Sequence, residues 1–150
     1  GSTGPTGSTT APTTNNAIIA QTTTITVNAK QGVPFNKNVS IQGNSISHTI
    51  NSPDITFSIP GTYLINYYIT GKVSTGNSLS MELHLNRTAV NASGYFLSGI
   101  SNGAVMGNCI LTVTTPNSIL NLIMFYDTQL TGANVGILYP VSNIIITQLS

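Results

Sequence analysis

The sequence predicts an all-β protein, either a sandwich or a barrel of about ten short antiparallel strands. Apolar residues alternate with polar ones along most of the chain, which places them on one face of a pleated strand. Gly, Pro and Asn interrupt the alternation every 8 to 12 residues or so, roughly the spacing of turns in such folds. No stretch keeps the apolar period of a helix for long enough to form one.

Each predicted strand is justified by its own alternation. Leu79, Met81, Leu83 and Leu85 form the most regular example, with polar side chains between them. The first predicted strand ends before Pro34, because proline cannot donate a hydrogen bond within a central strand. The predicted strands are 18–27, 39–41, 46–50, 55–59, 62–70, 79–85, 95–97, 105–114, 119–130 and 141–149.

Two short turns are predicted to connect neighbouring strands. Pro60-Gly61 separates residues 55–59 from residues 62–70, and Pro presets its own φ while Gly accepts a positive one. Thr115-Pro116-Asn117 separates two later strands in the same way. Both strand pairs are therefore predicted to be antiparallel hairpins.

The strand at 119–126 differs from the others because it is apolar on both faces. Leu120, Leu122, Met124 and Tyr126 share one face, and Ile119, Ile123 and Phe125 share the other. One face of a sandwich strand meets the core, so the second face needs another layer. Ile145, within the run 144–146, requires the same explanation. We expect a second copy of the chain to supply that layer, the alternative being a large all-β core.

The composition excludes several function classes. Only 5% of the residues are charged and the net charge is +1, so electrostatics favour neither nucleic acid nor an anionic membrane. No segment approaches the ~20 apolar residues of a membrane-spanning helix. We therefore expect no nucleic-acid partner and no membrane insertion.

The reactive side chains form no recognisable catalytic or metal site. His48 and His84 lie in separate predicted strands, and the three carboxylates are scattered. Cys109 alternates with Leu111 and Val113, the pattern of a small buried hydrophobe. We predict no catalytic residue, no metal and no cofactor, and hence no enzyme.

The first nine residues have the period of collagen. Gly1, Gly4 and Gly7 begin successive triplets, and only glycine fits at the axis of a collagen triple helix. An expression-tag remnant is the alternative explanation. The predicted organisation is a collagen-like stalk at 1–9, a linker at 10–17 and one globular domain at 18–150.

Together these parts resemble a known group of proteins. Residues 57–67, Phe-Ser-Ile-Pro-Gly-Thr-Tyr-Leu-Ile-Asn-Tyr, are the most specific part; the collagen-like triplets, Pro34-Phe35 and the final Ile-Thr-Gln-Leu support them. This combination resembles the trimeric tumour-necrosis-factor-like (TNF-like) jelly rolls, which include the collagen-tethered heads of complement. It is most similar to the carboxy-terminal domains of collagen-like exosporium glycoproteins from spore-forming bacteria, which share the low charge and the Thr-rich triplets.

The resemblance implies an antiparallel jelly roll of about ten strands that forms a homotrimer. It implies a core signature and a trimer interface, and it makes the stalk threonines candidates for O-glycosylation. The core signature comprises Phe57, Gly61, Tyr63 and Tyr67, and the threonines are Thr3, Thr6 and Thr9. In the predicted interface, Ile123 and Phe125 match the inter-subunit strand of the family, and Ile119 and Ile145 are added from the doubly apolar segments. The animal heads commonly carry acidic loop residues that hold calcium or partners; this chain has only three carboxylates.

From these features we expect a structural surface protein. Its role would be trimerisation and display, capping a collagen-like filament on the exosporium of a bacterial spore. One alternative is an adhesin or receptor-binding head that recognises a host protein or a glycan through its polar loops. Another alternative is the tip of a phage fibre, which needs the same trimeric arrangement.

Overall fold

The computed structural model of the protein describes residues 1–5, 7 and 14–150. Within these residues every regular element is a strand, which confirms the all-β class. The strands are β1 Asn16–Gln21, β2 Ile25–Val27, β3 Lys37–Gln42, β4 Ile46–His48, β5 Ile55–Phe57, β6 Gly61–Val73, β7 Leu79–Leu85, β8 Thr88–Ala89, β9 Tyr95–Leu97, β10 Asn102–Val113, β11 Ser118–Met124, β12 Thr128–Leu130 and β13 Ser142–Gln148.

The strands form two antiparallel sheets packed face to face. Sheet A has the order β2-β12-β6-β13-β1-β3, and β10 pairs with the other edge of β6. Sheet B has the order β4-β5-β11-β7-β8, and β9 pairs with β7. The chain crosses between the sheets six times, from β3 to β4, β5 to β6, β6 to β7, β9 to β10, β10 to β11 and β11 to β12. This repeated crossing is the topology of a jelly roll rather than of a meander.

Both predicted hairpins are wrong, because each supposed turn is a crossover between sheets. β5 pairs with β4 and β11, whereas β6 pairs with β10, β12 and β13. Gly61 is also needed for a reason other than a positive φ. A Cβ at this position would lie 2.4 Å from the backbone oxygen of Ser150, so the glycine permits close approach of two backbones.

The predicted strand at 18–27 is divided in two and begins earlier than expected. β1 starts at Asn16, inside the predicted linker, and ends at Gln21. The break follows because the backbone N–H of Thr22 donates to Asn36 Oδ1 at 2.9 Å, and that of Thr23 donates to Gln21 Oε1 at 3.1 Å. In the segment that joins β1 to β2, side-chain acceptors thus take the place of the backbone acceptors of a sheet.

The core lies between the sheets and contains the aromatic residues of the predicted signature. Phe57 from sheet B and Tyr63 from sheet A are fully buried, and their ring centroids lie 4.5 Å apart. Tyr67 is also buried, and its hydroxyl donates to the Ser93 carbonyl at 2.5 Å. The alternation on either side of Pro60-Gly61 therefore supplies both walls of the core rather than one.

The second face of β11 is partly covered within the single chain. Asn121 is 1% exposed; its amide donates to Asp54 Oδ1 at 2.7 Å, and Arg87 donates to its Oδ1 at 3.0 Å. Ile123 is 6% exposed. Residues 30–33 extend sheet B beside β11 through backbone hydrogen bonds to Leu122 and Met124. Burial of Asn121 and Ile123 therefore does not itself require a second copy of the chain.

Candidate assembly surface

The outer face of sheet A carries an exposed apolar surface. Along β6 the odd-numbered residues from Tyr63 to Ile69 are buried, so the even-numbered ones point away from the core. The register places Met106 opposite Tyr68 and Ile110 opposite Leu64, which extends this face across β10. We call it the sheet A face, and its members are Ile18, Leu64, Asn66, Tyr68, Met106, Asn108, Ile110, Leu138, Tyr139, Asn143 and Ile145.

The apolar residues of this face are exposed to an unusual degree. Met106 is 75% exposed, Ile110 is 66% exposed and Leu138 is 79% exposed. The outer face of an antiparallel sheet ordinarily alternates to polar residues. Scattered exposed apolar residues are normal, but a contiguous group of them marks an interaction site.

A groove crosses the sheet A face where the segment after β12 lies against it. Its volume is about 530 Å³, and its walls include Tyr68, Met106, Leu138, Tyr139 and Ile145. Asn66, Asn108 and Asn143 supply the polar groups. None of the residues that define the face is charged. Covering it would therefore bury apolar surface without desolvating an ion.

The architecture is shared with solved structures of two protein groups. Eiger TNF from S. frugiperda is similar with a TM-score of 0.67 and 14% identity, covering 91% of this chain and 93% of that one. The globular domain of zebrafish complement 1qA has a TM-score of 0.58 and 16% identity, covering 89% and 94%. The fold is a TNF-like and C1q-like jelly roll.

Further comparisons agree on the fold and give no closer relationship. Murine APRIL at pH 8.0 is similar to this jelly roll with a TM-score of 0.66 and 10% identity, covering 91% of this chain and 99% of that one. No family model and no curated protein matches the sequence.

The four predicted interface residues do not share one surface of the jelly roll. Ile145 belongs to the sheet A face, where it lies opposite Asn66 of β6. Ile119 and Ile123 lie on β11 of sheet B, and Phe125 follows that strand. The structure of one chain does not test which surface meets a partner, and the interface stays a prediction. It does divide the residues between two opposite sides of the molecule.

The sequence of β10 carries a signal for the sheet A face. β10 is apolar on both faces, with Val105, Leu111 and Val113 toward the core and Met106 and Ile110 outward. The same reasoning that singled out 119–126 applies to this strand. Asn108 lies between Met106 and Ile110 on that outer face and interrupts its apolar pattern.

The two histidines each contact neighbouring side chains or backbone groups within the jelly roll. His48 has Asn38 Oδ1 beside one ring nitrogen and the Ser52 carbonyl 2.8 Å from the other. His84 Nε2 lies 3.4 Å from a Glu82 carboxylate oxygen. Among residues 1–5, 7 and 14–150 no three His, Cys, Asp or Glu side chains are grouped to hold a metal ion. The same residues contain no helix that is long and apolar enough to cross a membrane.

Two acidic groups near the core have raised pKa values. Burial raises the pKa of the Tyr67 hydroxyl, and negative charge on Cys109 or Tyr95 would raise it further. Burial also raises the pKa of the Cys109 thiol. Cys109 packs against the core as predicted and is half-buried. Both groups therefore stay protonated at neutral pH.

The stalk threonines are only partly within the described residues. Thr3 is exposed. Thr6 and Thr9 lie outside the described residues, as does the first half of the predicted linker. Glycosylation of the stalk stays a prediction.

Proposed function

We propose that this protein is a homotrimeric head that caps and displays a collagen-like filament on the exosporium of a bacterial spore. The observation that supports the proposal is the sheet A face, a largely apolar surface that carries no charge. Covering it with neighbouring copies would remove Met106, Ile110 and Leu138 from water, and obligate interfaces are apolar in this way. The collagen-like triplets and the resemblance of the sequence to exosporium glycoproteins support the filament and the location.

A trimeric head has a clear physical role beside a collagen-like stalk. Three collagen chains must be in register, and short triplets cannot align them alone. A globular trimer holds the three stalk segments together where they enter the head, and so raises their local concentration. We propose that the sheet A face supplies this association, in which case β11 has a structural role within one chain.

The oligomeric mass tests the proposal directly. Light scattering at micromolar concentration should give three times the 15.7 kDa of one chain. A monomeric mass would contradict the trimer, and with it the display role. Immunogold labelling of intact spores with an antibody to the head tests the location separately.

Recognition of a host protein or a glycan is the second candidate function. It is favoured by sheet B, whose outer face carries exposed aromatic side chains and stays free when the sheet A face is covered. A phage fibre tip would use the same assembly, and the neighbouring genes distinguish it from a spore protein.

A further inference from the structure

A cleft of about 390 Å³ lies on the outer face of sheet B, within the size range of small-molecule sites. We call it the sheet B cleft. Its walls are Phe96 and Phe125, and its floor includes Ser78, Ser80 and Glu82. It lies on the sheet opposite the sheet A face and is built by one chain.

The register of three strands places the two phenylalanines on the same outward face. Ser80 of β7 pairs with Phe96 of β9 on one side. On the other side the backbone N–H of Phe125 donates to the Ser80 carbonyl at 3.2 Å. Leu79 and Met81 point to the core, so these three residues point outward. Two strand spacings therefore separate the positions of Phe96 and Phe125, a distance of about 9.5 Å.

Side chains that project straight out from these two positions would leave room for one flat ring between them. A ring at the midpoint would lie about 4.8 Å from each wall, which is within the range of stacked aromatic contacts. Phe96 is 66% exposed and Phe125 is 42% exposed, so both rings offer a free surface. Apolar residues held open on a sheet in this manner mark a binding site rather than core packing.

The floor of the cleft is suited to a ligand with hydroxyl groups. The hydroxyls of Ser78 and Ser80 both donate and accept hydrogen bonds, and the carboxylate of Glu82 accepts them. A pyranose ring has C–H groups on its faces and hydroxyls around its rim. Its C–H faces would meet the negative π faces of the two phenyl rings, and its hydroxyls would meet the floor.

Charge distinguishes a neutral ligand from an ionic one. The ammonium group of Lys30 lies 3.5 Å from the centroid of the Phe125 ring. The Lys30 backbone N–H donates to the Met124 carbonyl, which places Lys30 across β11 from β7 and the cleft. A second cation at Phe125 would be repelled by Lys30, and an anion would be repelled by Glu82.

We propose that the sheet B cleft binds one neutral pyranose ring of a glycan, stacked between Phe96 and Phe125. The site rests on the second candidate function and not on the trimer. Failure of binding would therefore leave the oligomeric mass unchanged, and failure of the trimer would leave the cleft intact.

Saturation-transfer NMR on the whole protein tests the site with three probes. These are methyl β-D-glucopyranoside, methyl β-D-galactopyranoside and methyl α-D-mannopyranoside at tens of millimolar. At least one should receive saturation on its ring C–H protons, with a Kd of about millimolar for a ligand of this size. Phe96→Ala and Phe125→Ala should each weaken binding about tenfold.

Three controls make the result specific. Ile50→Ala removes an apolar side chain that is 52% exposed and lies outside the cleft, and it should not change binding. Each variant must keep the wild-type mass and melting temperature. If Phe125→Ala does not fold, Phe96→Ala alone tests the site. Phe96 is the more exposed of the two side chains, so its removal should disturb the fold less.

Several outcomes would overturn the proposal. One is the absence of saturation transfer to all three pyranosides. A second is wild-type affinity in Phe96→Ala at unchanged mass. A third is tighter binding of tetramethylammonium than of any pyranoside, because this would identify the cleft as a cation site.

Discussion

Replacing Met106 with aspartate should dissociate the proposed trimer, and the exposure of Met106 in one chain sets the size of the effect. Fully burying a methionine side chain contributes about 1.5–3 kcal/mol, and Met106 is 75% exposed in one chain. Its burial in an interface is therefore worth about 1–2 kcal/mol per chain. Three copies give about 3–6 kcal/mol per trimer, so even Met106→Ala should lower the association constant by roughly two to four orders of magnitude.

Aspartate adds a second cost to the loss of apolar contact. A carboxylate taken out of water without a partner costs several kcal/mol per ion, and the sheet A face offers it no cation. Met106→Asp should therefore be a monomer at micromolar concentration. Its cost within one chain is small, on the order of 1 kcal/mol, because the side chain points to solvent.

Sedimentation equilibrium over a range of concentrations measures this effect, and two further variants interpret it. Ile50→Asp places the same charge on another exposed apolar position and should keep the wild-type mass. Phe125→Asp tests the surface predicted from the sequence. If Phe125→Asp is monomeric while Met106→Asp stays trimeric, the sheet A face is not the interface.

Two other predictions concern the folded chain. Gly61→Ala should lower the unfolding free energy in urea by about 1–3 kcal/mol, because its Cβ would lie 2.4 Å from the Ser150 oxygen; deleting Ser150 should recover most of that loss, and no recovery would place the strain elsewhere. The raised pKa of Tyr67 adds stability that is complete below the unfolded pKa of about 10 and is lost as the pH rises further. The unfolding free energy should therefore fall above pH ~10. The fall should be less steep in Tyr67→Phe than in the control Tyr139→Phe, which alters an exposed tyrosine. Equal slopes in the two variants would contradict this role of Tyr67.

The alternation of apolar residues was sufficient to predict the strands but not their partners. The bounds 79–85 and 95–97 agree with the structure. In 79–85 every apolar residue faces the core or its margin. Alternation is the same, however, whether the next strand pairs beside the last one or lies across the core from it. For this reason 55–59 and 62–70 looked like a hairpin, although β5 and β6 belong to opposite sheets.

The assembly surface was harder to predict because it depends on contacts between distant segments. Met106 and Ile110 become part of one surface only when β10 pairs with β6 and when Leu138 and Tyr139 fold over it. In β11 the second apolar face was detected, yet residues 30–33 and the network at Asn121 cover part of it within the chain. Sequence periodicity indicates that a face is apolar but not which segment covers it.

The position of β1 has a mechanical consequence for a head carried on a filament. The segment that precedes Asn16 leads directly into this strand, which is hydrogen-bonded to β13 on one side and to β3 on the other. A pull along the strand would load both ladders in shear, since their hydrogen bonds run perpendicular to it. Many bonds would then have to break together rather than one after another, and tension in the filament would be spread across sheet A before any strand could leave.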